Sequence, residues 1–258
     1  MIPTLNTIIQ GDCIDVMKTW DDHCIDHCIT DPPFNMSKPK GLGWAFSSHV
    51  TMAEEWDRFT REDYLEFTKA WLKEISRVVK VNGNIFIFGT YHNIYDVGYI
   101  LNEMDLRIIN SIIWFKPNAQ PNISCRMLTE STEQVIWICN NKKKKAKKWT
   151  FNYDVAKEIN GGKQLRNMWS IPYTSRNERK FGKHPSQKPL ELISRIVRIG
   201  TKPQETIVDC FSGSGTTGVA CRLTGRNWLL IEKNAEYNAI ASSRIADLNK
   251  ADGLNEQQ

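Results

Sequence analysis

The chain lacks the features that mark membrane and secreted proteins. None of its 258 residues lies in a run approaching the roughly 20 apolar residues that a membrane-spanning helix requires. Residues 1–17 reach an acidic side chain before an apolar core can form, so they do not resemble a signal peptide. The seven cysteines are odd in number and irregularly spaced, which argues against a disulfide framework. We therefore expect a protein of the cytoplasm.

One short segment crowds together side chains that bind metals. His23, Cys24, His27 and Cys28 lie within six residues. Because no second cluster of Cys or His completes a tetrahedral set, the sequence favours core residues around a strand that ends at Asp31. We expect no metal.

The composition is that of a globular protein with a small excess of positive charge. Hydrophobic residues make up 41% and charged residues 24%, and the formal net charge is +5. At roughly 100 to 200 residues per domain, the length allows one large domain or one domain with a small insertion.

Helical and strand patterns alternate along the first half of the chain. Leu65, Leu72, Ile75 and Val79 share one face of a helix predicted from about 62 to 80. The apolar runs 85–88, 112–115 and 135–139 predict strands buried on both faces, and 95–104 predicts a helix between the first two.

The alternation returns near the C-terminus. Helices are predicted at 189–199 and 216–224, strands at 207–208 and 228–232, and a last helix by the residues from Tyr237 to Leu248. Alternation of this kind predicts an α/β fold with a doubly wound, mostly parallel sheet.

Two stretches have no regular pattern. Residues 140–183 mix lysines, aromatics, Arg and Asn, and we interpret them as a small inserted recognition region. The predicted division is therefore 1–139, 140–183 and 184–250, followed by a polar tail, 251–258. The stretch from Asn35 to Glu55 is either a loop that closes over a ligand or an ordinary surface loop.

A glycine-rich turn lies between a predicted strand and a predicted helix. Gly213, Gly215 and Gly218 fit the pattern G-x-G-x-x-G, and Glu232 ends the next strand, where a carboxylate can bind ribose hydroxyls. Taken alone, the turn predicts a dinucleotide site. However, Asp209 would repel a pyrophosphate and suits an ammonium group, and the short chain after Gly218 requires a permuted strand order. Both features favour S-adenosylmethionine.

Asp31-Pro32-Pro33-Phe34 follows a predicted buried strand, at the end where open α/β sheets bind ligands. The amine of a nucleobase is a poor nucleophile because its lone pair is delocalised into the ring. The Asp31 carboxylate and the Pro32 carbonyl can accept its two N–H groups and leave the lone pair freer. The prolines stiffen the turn, and Phe34 offers a flat face for stacking. The motif indicates methyl transfer achieved mainly by positioning, although a plain strand-ending turn is the alternative.

At these residues the chain resembles the amino-group DNA methyltransferases of the order called β, in which the catalytic motif comes first and the cofactor motif last. His184-Pro185-Ser186-Gln187-Lys188-Pro189 is similar to the family motif H-P-T-Q-K-P, with Ser186 in place of Thr. The resemblance implies a catalytic role for Asp31, Pro32, Pro33 and Phe34. It implies that the residues which bind S-adenosylmethionine are Asp12, Cys13, His184, Gln187, Lys188, Asp209, Phe211, Ser212, Gly213, Ser214, Gly215, Thr216 and Glu232.

The resemblance also bears on the target. Asp at the first catalytic position is usual for adenine N6, whereas cytosine N4 enzymes commonly carry Ser there. Residues 92–95, 121–126 and 152–154 resemble the small adenine methyltransferases that accompany GATC restriction systems. The resemblance implies double- or single-stranded DNA as a partner, a homodimer, and a cognate restriction endonuclease that acts on the same site.

DNA binding requires cations outside the cofactor motifs. We predict a DNA-contacting set made up of Arg126, Lys142, Lys143, Lys144, Lys145, Arg166, Arg176 and Arg179. The lysine run is equally interpreted as a solvated loop, since blocks of like charge often are. Three alternatives to the adenine enzyme stay open: a cytosine N4 methyltransferase, a nicotinamide-dependent oxidoreductase, and a DNA-binding module without catalysis.

Overall fold

The computed structural model describes residues 1–36, 57, 59–122 and 124–255, with side chains through 248. Its strands are β1 (Thr7–Gln10), β2 (His27–Thr30), β3 (Asn84–Gly89), β4 (Leu106–Phe115), β5 (Thr132–Lys142), β6 (Met168–Ser170), β7 (Thr206–Asp209) and β8 (Asn227–Glu232). Its helices are α1 (Cys13–Lys18), α2 (Arg61–Val78), α3 (Ile94–Glu103), α4 (Tyr153–Ile159), α5 (Leu190–Gly200), α6 (Thr216–Leu223) and α7 (Ala235–Asn255).

The eight strands form one sheet in the order β1-β8-β7-β2-β3-β5-β4-β6. The pairs among β1, β8, β7, β2 and β3 are parallel, whereas β5 runs antiparallel to both β3 and β4. The carboxyl ends of β2, β3, β7 and β8 therefore lie at one edge of the sheet, which we call the cavity edge.

Helices cover both faces of the sheet because the central strands are apolar on both sides. Ile85 and Ile87 of β3 pack with α1, α2 and α3, and Phe86 and Phe88 pack with α5 and α6 on the opposite face. This arrangement confirms the predicted doubly wound α/β fold.

The helix bounds lie close to those predicted from sequence. Thr60 caps α2 by accepting a hydrogen bond from the Asp63 N–H, and the chain turns into a strand conformation at Val79. The first strand, β1, was not predicted. It pairs with β8 in register from Thr7 opposite Leu229 to Gln10 opposite Glu232.

Residues 140–183 contain more regular structure than their sequence predicts. They hold the end of β5, helix α4 and the short strand β6, which adds to the sheet beside β4. Trp169 of β6 is buried in the same core as Phe86, because β6 covers the apolar side chains at the end of β4. The prediction that this stretch recognises the DNA target stays a prediction.

Two of the four side chains of the cluster at residues 23–28, those of His27 and Cys28, are engaged within the protein. His27 Nδ1 accepts a hydrogen bond from the Asn84 N–H, and its Nε2 lies 2.8 Å from a Glu205 carboxylate oxygen. Cys28 is fully buried in the core. No helix among the described residues combines the length and apolar character needed to span a bilayer.

Candidate active site

The two motifs singled out in the sequence meet at one cavity of about 400 Å³ on the cavity edge. The chain leaves β2 toward β3 on one side and leaves β7 toward β8 on the other, so a crevice opens between the neighbouring strands β2 and β7. Ligands bind at such switch points in open α/β sheets. Asp31–Phe34 follow β2 and residues 210–216 follow β7, so both motifs line this crevice.

Asp31 has one engaged and one free carboxylate oxygen. Lys188 Nζ donates to Oδ2 at 2.5 Å, whereas Oδ1 is buried without a hydrogen-bond partner among the described residues. Burial raises the pKa of Asp31 to about 7, although the positive charge of Lys188 opposes the shift. The arrangement leaves an acceptor beside the cavity.

Tyr64 of α2 and Asp57, which precedes that helix, hold the turn of residues 31–36 in place. Tyr64 of α2 donates from its hydroxyl to the Pro33 carbonyl at 3.0 Å. The Asp57 carboxylate accepts the N–H groups of Asn35 and Met36 at 2.6 and 2.8 Å. Phe34 is 8% exposed, and its ring lies 5.3 Å from Lys188 Nζ. The turn is therefore held in place on both sides of Phe34.

Asp209 links the glycine-rich turn to β2. Its Oδ1 accepts from the Thr30 hydroxyl at 3.0 Å and from the Phe211 N–H at 3.2 Å, and its Oδ2 accepts from the Thr217 hydroxyl at 2.6 Å. Burial raises the pKa of Asp209 to about 6, against the lowering effect of these hydrogen bonds. The carboxylate therefore supports the turn as well as lining the cavity.

The glycine-rich turn requires residues without a side chain. Gly213 and Gly215 have φ angles of +49° and +75°, in the left-handed region that favours glycine. A Cβ at Gly213 would approach the His184 ring to 2.8 Å, and one at Gly215 would approach Ala241 Cβ to 2.7 Å.

Burial lowers the pKa of His184 to about 3, so this ring is neutral at physiological pH.

Two further carboxylates lie at the carboxyl ends of β8 and β1. Glu232 accepts the N–H groups of Gly213 and Asn234, both at 2.8 Å. Asp12 caps α1 by accepting from the Ile14 N–H at 3.0 Å. Both residues line the cavity, and their predicted roles toward the ribose and the adenine stay predictions.

Arg244 of α7 stabilises the glycine-rich turn through hydrogen bonds, a role that the sequence did not predict. Its Nη1 donates to the Ser214 carbonyl at 2.7 Å, to the Ser214 hydroxyl at 3.0 Å and to the Thr216 hydroxyl at 2.9 Å. Burial lowers the pKa of Arg244 to about 10, which leaves the guanidinium charged at neutral pH. In the sequence, a lone Arg in a helix is typical of a solvated face, so no signal identified it.

The cavity also has the unmatched polar groups that a bound cofactor would engage. Ser212 Oγ and Gln187 Oε1 are buried without a hydrogen-bond partner among the described residues, and both residues line the cavity. Together with the carboxylates and the glycine turn, they fit a ligand with an amino-acid end and a ribose.

The predicted catalytic and cofactor residues are brought together almost completely. All four residues of the tetrapeptide line the cavity, as do all the predicted cofactor residues except Gly215, which packs against α7. The sequence missed the aromatic wall formed by Phe59 and Phe67, whose rings stack at 5.0 Å. The predicted closing loop, Asn35–Glu55, lies outside the described residues from position 37 onward.

Several predicted DNA-contacting residues lie at the cavity edge. Arg126 belongs to the connection from the end of β4 to the start of β5, both at this edge. Arg176 and Arg179 are exposed and flank Glu178, whose carbonyl accepts from the Gln187 side chain at 2.9 Å. Arg166 precedes β6, the outermost strand of the sheet, which begins opposite Ile113 and runs toward the cavity edge.

The lysine run lies at the opposite edge. Gln134 of β5 faces Gly89 at the cavity edge, and Cys139 faces Asn84 at the far edge. At about 3.3 Å per residue, Lys142 is on the order of 25 Å farther along the sheet than Gln134. Lys142 and Lys143 donate to the Met104 carbonyl and the Asn102 side chain. The prediction that Lys142, Lys143, Lys144 and Lys145 contact DNA phosphates stays a prediction.

Comparison with known proteins identifies the family. A family model described as DNA methylase matches residues 25–243 of the chain. The chain belongs to this family. The methylase is 40% identical over 245 residues to the type II methyltransferase M2.MboI of Moraxella bovis, covering 93% of this chain and 88% of that protein. It is 37% identical to M2.DpnII of Streptococcus pneumoniae, with 92% and 88% coverage.

Solved structures show the same fold. The complex of M1.HpyAVI with S-adenosylmethionine has a TM-score of 0.67 and 27% identity, covering 93% of the methylase and 98% of that chain. The cytosine-N4-specific PvuII DNA methyltransferase has a TM-score of 0.72 at 19% identity, with 92% and 85% coverage, which shows the fold alone. The predicted S-adenosylmethionine-dependent DNA methyltransferase is confirmed, and the oxidoreductase alternative is removed.

Proposed function

We propose that this methylase transfers a methyl group to N6 of adenine, on a base that leaves the DNA stack and enters the cavity. The observation that carries the proposal is the free Oδ1 of Asp31, a buried acceptor beside the cavity without a hydrogen-bond partner among the described residues. A base inside a duplex cannot reach such a site, so it must be extruded or come from a single strand.

The residues of the catalytic turn, Asp31–Phe34, act by holding the amine in the geometry that methyl transfer needs. Asp31 Oδ1 and the Pro32 carbonyl accept its two N–H groups, and Phe34 stacks on the base. Lys188 keeps Oδ2 occupied, so the amine meets only the free oxygen. When bound, S-adenosylmethionine supplies a methyl group activated by a positively charged sulfur. The residues of the turn would hold the amine in line for that transfer, and the surplus proton on the methylated nitrogen would pass to water.

Most of the proposed cofactor residues lie at the carboxyl ends of three strands, β1, β7 and β8, and each group binds a different part of the ligand. Glu232 binds the ribose hydroxyls with the carboxylate that already accepts the Gly213 N–H. Asp209 and Ser212 face the amino-acid end, and Asp12 and Cys13 face the adenine. His184 and Gln187, in the segment before α5, contact the methionine portion of the cofactor.

The proposed base and site follow from the sequence. Asp31 at the first catalytic position favours adenine over cytosine, and residues 92–95 and 152–154 resemble enzymes of GATC systems. We therefore propose GATC as the target, read by Arg126, Arg166, Arg176 and Arg179 among others. The proposed setting is a cytoplasmic restriction-modification system, with a homodimeric methylase and an endonuclease that cuts the same site.

Product analysis tests this proposal. The purified protein is incubated with labelled S-adenosylmethionine and either a GATC duplex, a matched duplex with the site permuted to GTAC, or the single GATC strand. Digestion to nucleosides should yield N6-methyladenine from the GATC duplex and no label from the permuted one. N4-methylcytosine would overturn the base assignment, and equal labelling of both duplexes would overturn the target.

A further inference from the structure

A row of four charged side chains leads from the cavity into the protein interior. Lys188 Nζ lies 2.5 Å from Asp31 Oδ2 and 3.4 Å from Glu133 Oε2. Lys116 Nζ lies 3.4 Å from Glu133 Oε1. The charges alternate in sign along the row, so they cancel when all four groups are ionised. Glu133 and Lys116 are not among the described residues that line the cavity.

The row joins four separate parts of the fold. Asp31 follows β2, Lys188 precedes α5, Glu133 lies in β5 and Lys116 follows β4. The side chains of Glu133 and Lys116 are only 10% and 3% exposed. Their burial strengthens the interactions, because water screens buried charges much less than exposed ones.

Aromatic rings surround both ammonium groups. Lys188 Nζ lies 5.3 Å from the centre of the Phe34 ring and 5.4 Å from that of Phe88. Lys116 Nζ lies 5.1 Å from the centre of the Tyr173 ring. The rings stabilise the cations through their negative faces and limit the directions in which each ammonium can move.

We infer that Glu133, held in turn by Lys116, is a positioning residue for methyl transfer. Its carboxylate shares the positive charge of Lys188 with Asp31, so that Asp31 keeps a strong negative potential on its free oxygen. Without Glu133, the full charge of Lys188 falls on Asp31 and weakens its pull on the amine of the base. The inference rests on the proposed function, because it assigns a target amine to that oxygen.

The competing explanation is that Glu133 only stabilises the fold. The stability and the methyl-transfer rate of two variants, measured side by side, distinguish the two explanations. A buried ion pair adds little stability relative to an apolar pair, but removal of one partner leaves a costly isolated charge. Loss of Glu133 alone should therefore destabilise the protein, whereas loss of Glu133 and Lys116 together should not. A positioning role predicts slow methyl transfer in both cases.

The test compares the wild type with Glu133→Gln and the double variant Lys116→Met/Glu133→Gln, and Glu103→Gln removes an exposed carboxylate as control. Single-turnover methyl transfer at saturating cofactor should fall by about tenfold or more in both Glu133 variants, because small errors of position cost rate steeply. Cofactor affinity should stay unchanged. Unfolding in urea should show a loss of stability in the single variant and recovery in the double variant.

The pH dependence of methyl transfer also distinguishes the two explanations, because a purely structural role of Glu133 would leave the midpoint of the pH–rate profile unchanged. The charged groups that act on Asp31 are Lys188, Glu133 and Asp209, and the negative charge of Glu133 raises the pKa of Asp31. In both Glu133 variants the midpoint of the pH–rate profile should therefore shift to lower pH. A wild-type rate and midpoint in the stable double variant would overturn the inference.

A companion variant separates this inference from the proposed function. All proteins are assayed on whichever DNA the wild type methylates, together with Asp31→Ala. Transfer by Asp31→Ala at the wild-type rate would refute the proposed role of Asp31 itself. If Asp31→Ala is inactive while the Glu133 variants keep the wild-type rate and midpoint, only the positioning role of Glu133 is refuted.

Discussion

His184 Nε2 lies so close to the glycine-rich turn that a Cβ at Gly213 would come within 2.8 Å of it. The ring also packs edge-on against Tyr237, with ring centroids 4.2 Å apart. The His-Pro-Ser-Gln-Lys-Pro segment therefore closes directly over the turn after β7, and the two motifs shape one wall of the cavity together.

A methyl group at Gly213 should block cofactor binding. Gly213→Ala introduces both a left-handed backbone strain of about 1 kcal/mol and a collision with the His184 ring. Gly161→Ala is the matched control, because Gly161 has φ +61° and a Cβ there would have no atom of the described residues within 4 Å. Calorimetric titration should show at least about tenfold weaker S-adenosylmethionine binding for Gly213→Ala alone, a loss of about 1.4 kcal/mol. Equal affinity in the two variants would contradict the close packing of the turn.

Methyl transfer should decline as the pH falls through about 7, where Asp31 titrates. Only the ionised carboxylate accepts N–H groups with both oxygens, and burial raises its pKa because the charged form loses solvation. Below the pKa, the rate at saturating cofactor should drop about tenfold per pH unit. A pH–rate profile that stays flat down to the range of an ordinary aspartate would contradict the role of Asp31.

DNA binding should depend on arginines at the cavity edge and not on the lysine run. Arg176→Ala/Arg179→Ala should weaken DNA binding about tenfold or more and reduce its salt dependence, because phosphate or base contacts are lost. Lys144→Ala/Lys145→Ala removes the same charge at the far edge of the sheet and should bind like the wild type. Fluorescence anisotropy with a labelled duplex at several salt concentrations measures the DNA affinity and its salt dependence for both double variants. Weaker binding by the lysine variant, with wild-type binding by the arginine variant, would place the DNA on the opposite edge.

Features that depend on neighbouring residues in the chain could be predicted from the sequence. The positions of Asp31 and Glu232 at strand ends, and the glycines that tolerate a left-handed backbone, follow from short-range rules that the structure obeys. Strand order follows less directly, but the few residues after Gly218 already required a permuted order, which the sheet shows.

What the sequence missed depends on partners far away in the chain. Glu133 and Lys116 are charged residues beside apolar runs, and only the folded sheet places Lys188 next to Glu133. The antiparallel register of β5 also places the lysine run at the far edge of the sheet, a position that its charge alone does not indicate. Strand β6 has three residues, too few for a period to be recognised.

We expect Asp31 to act on the target amine and not on the cofactor. The most direct measurement is Asp31→Ala examined on one sample by cofactor titration and by single-turnover methyl transfer. We expect the variant to bind S-adenosylmethionine with an affinity close to that of the wild type and to transfer the methyl group at least about a hundredfold more slowly, since a transition-state contact is lost. Methyl transfer at the wild-type rate by a variant that binds the cofactor normally would contradict it.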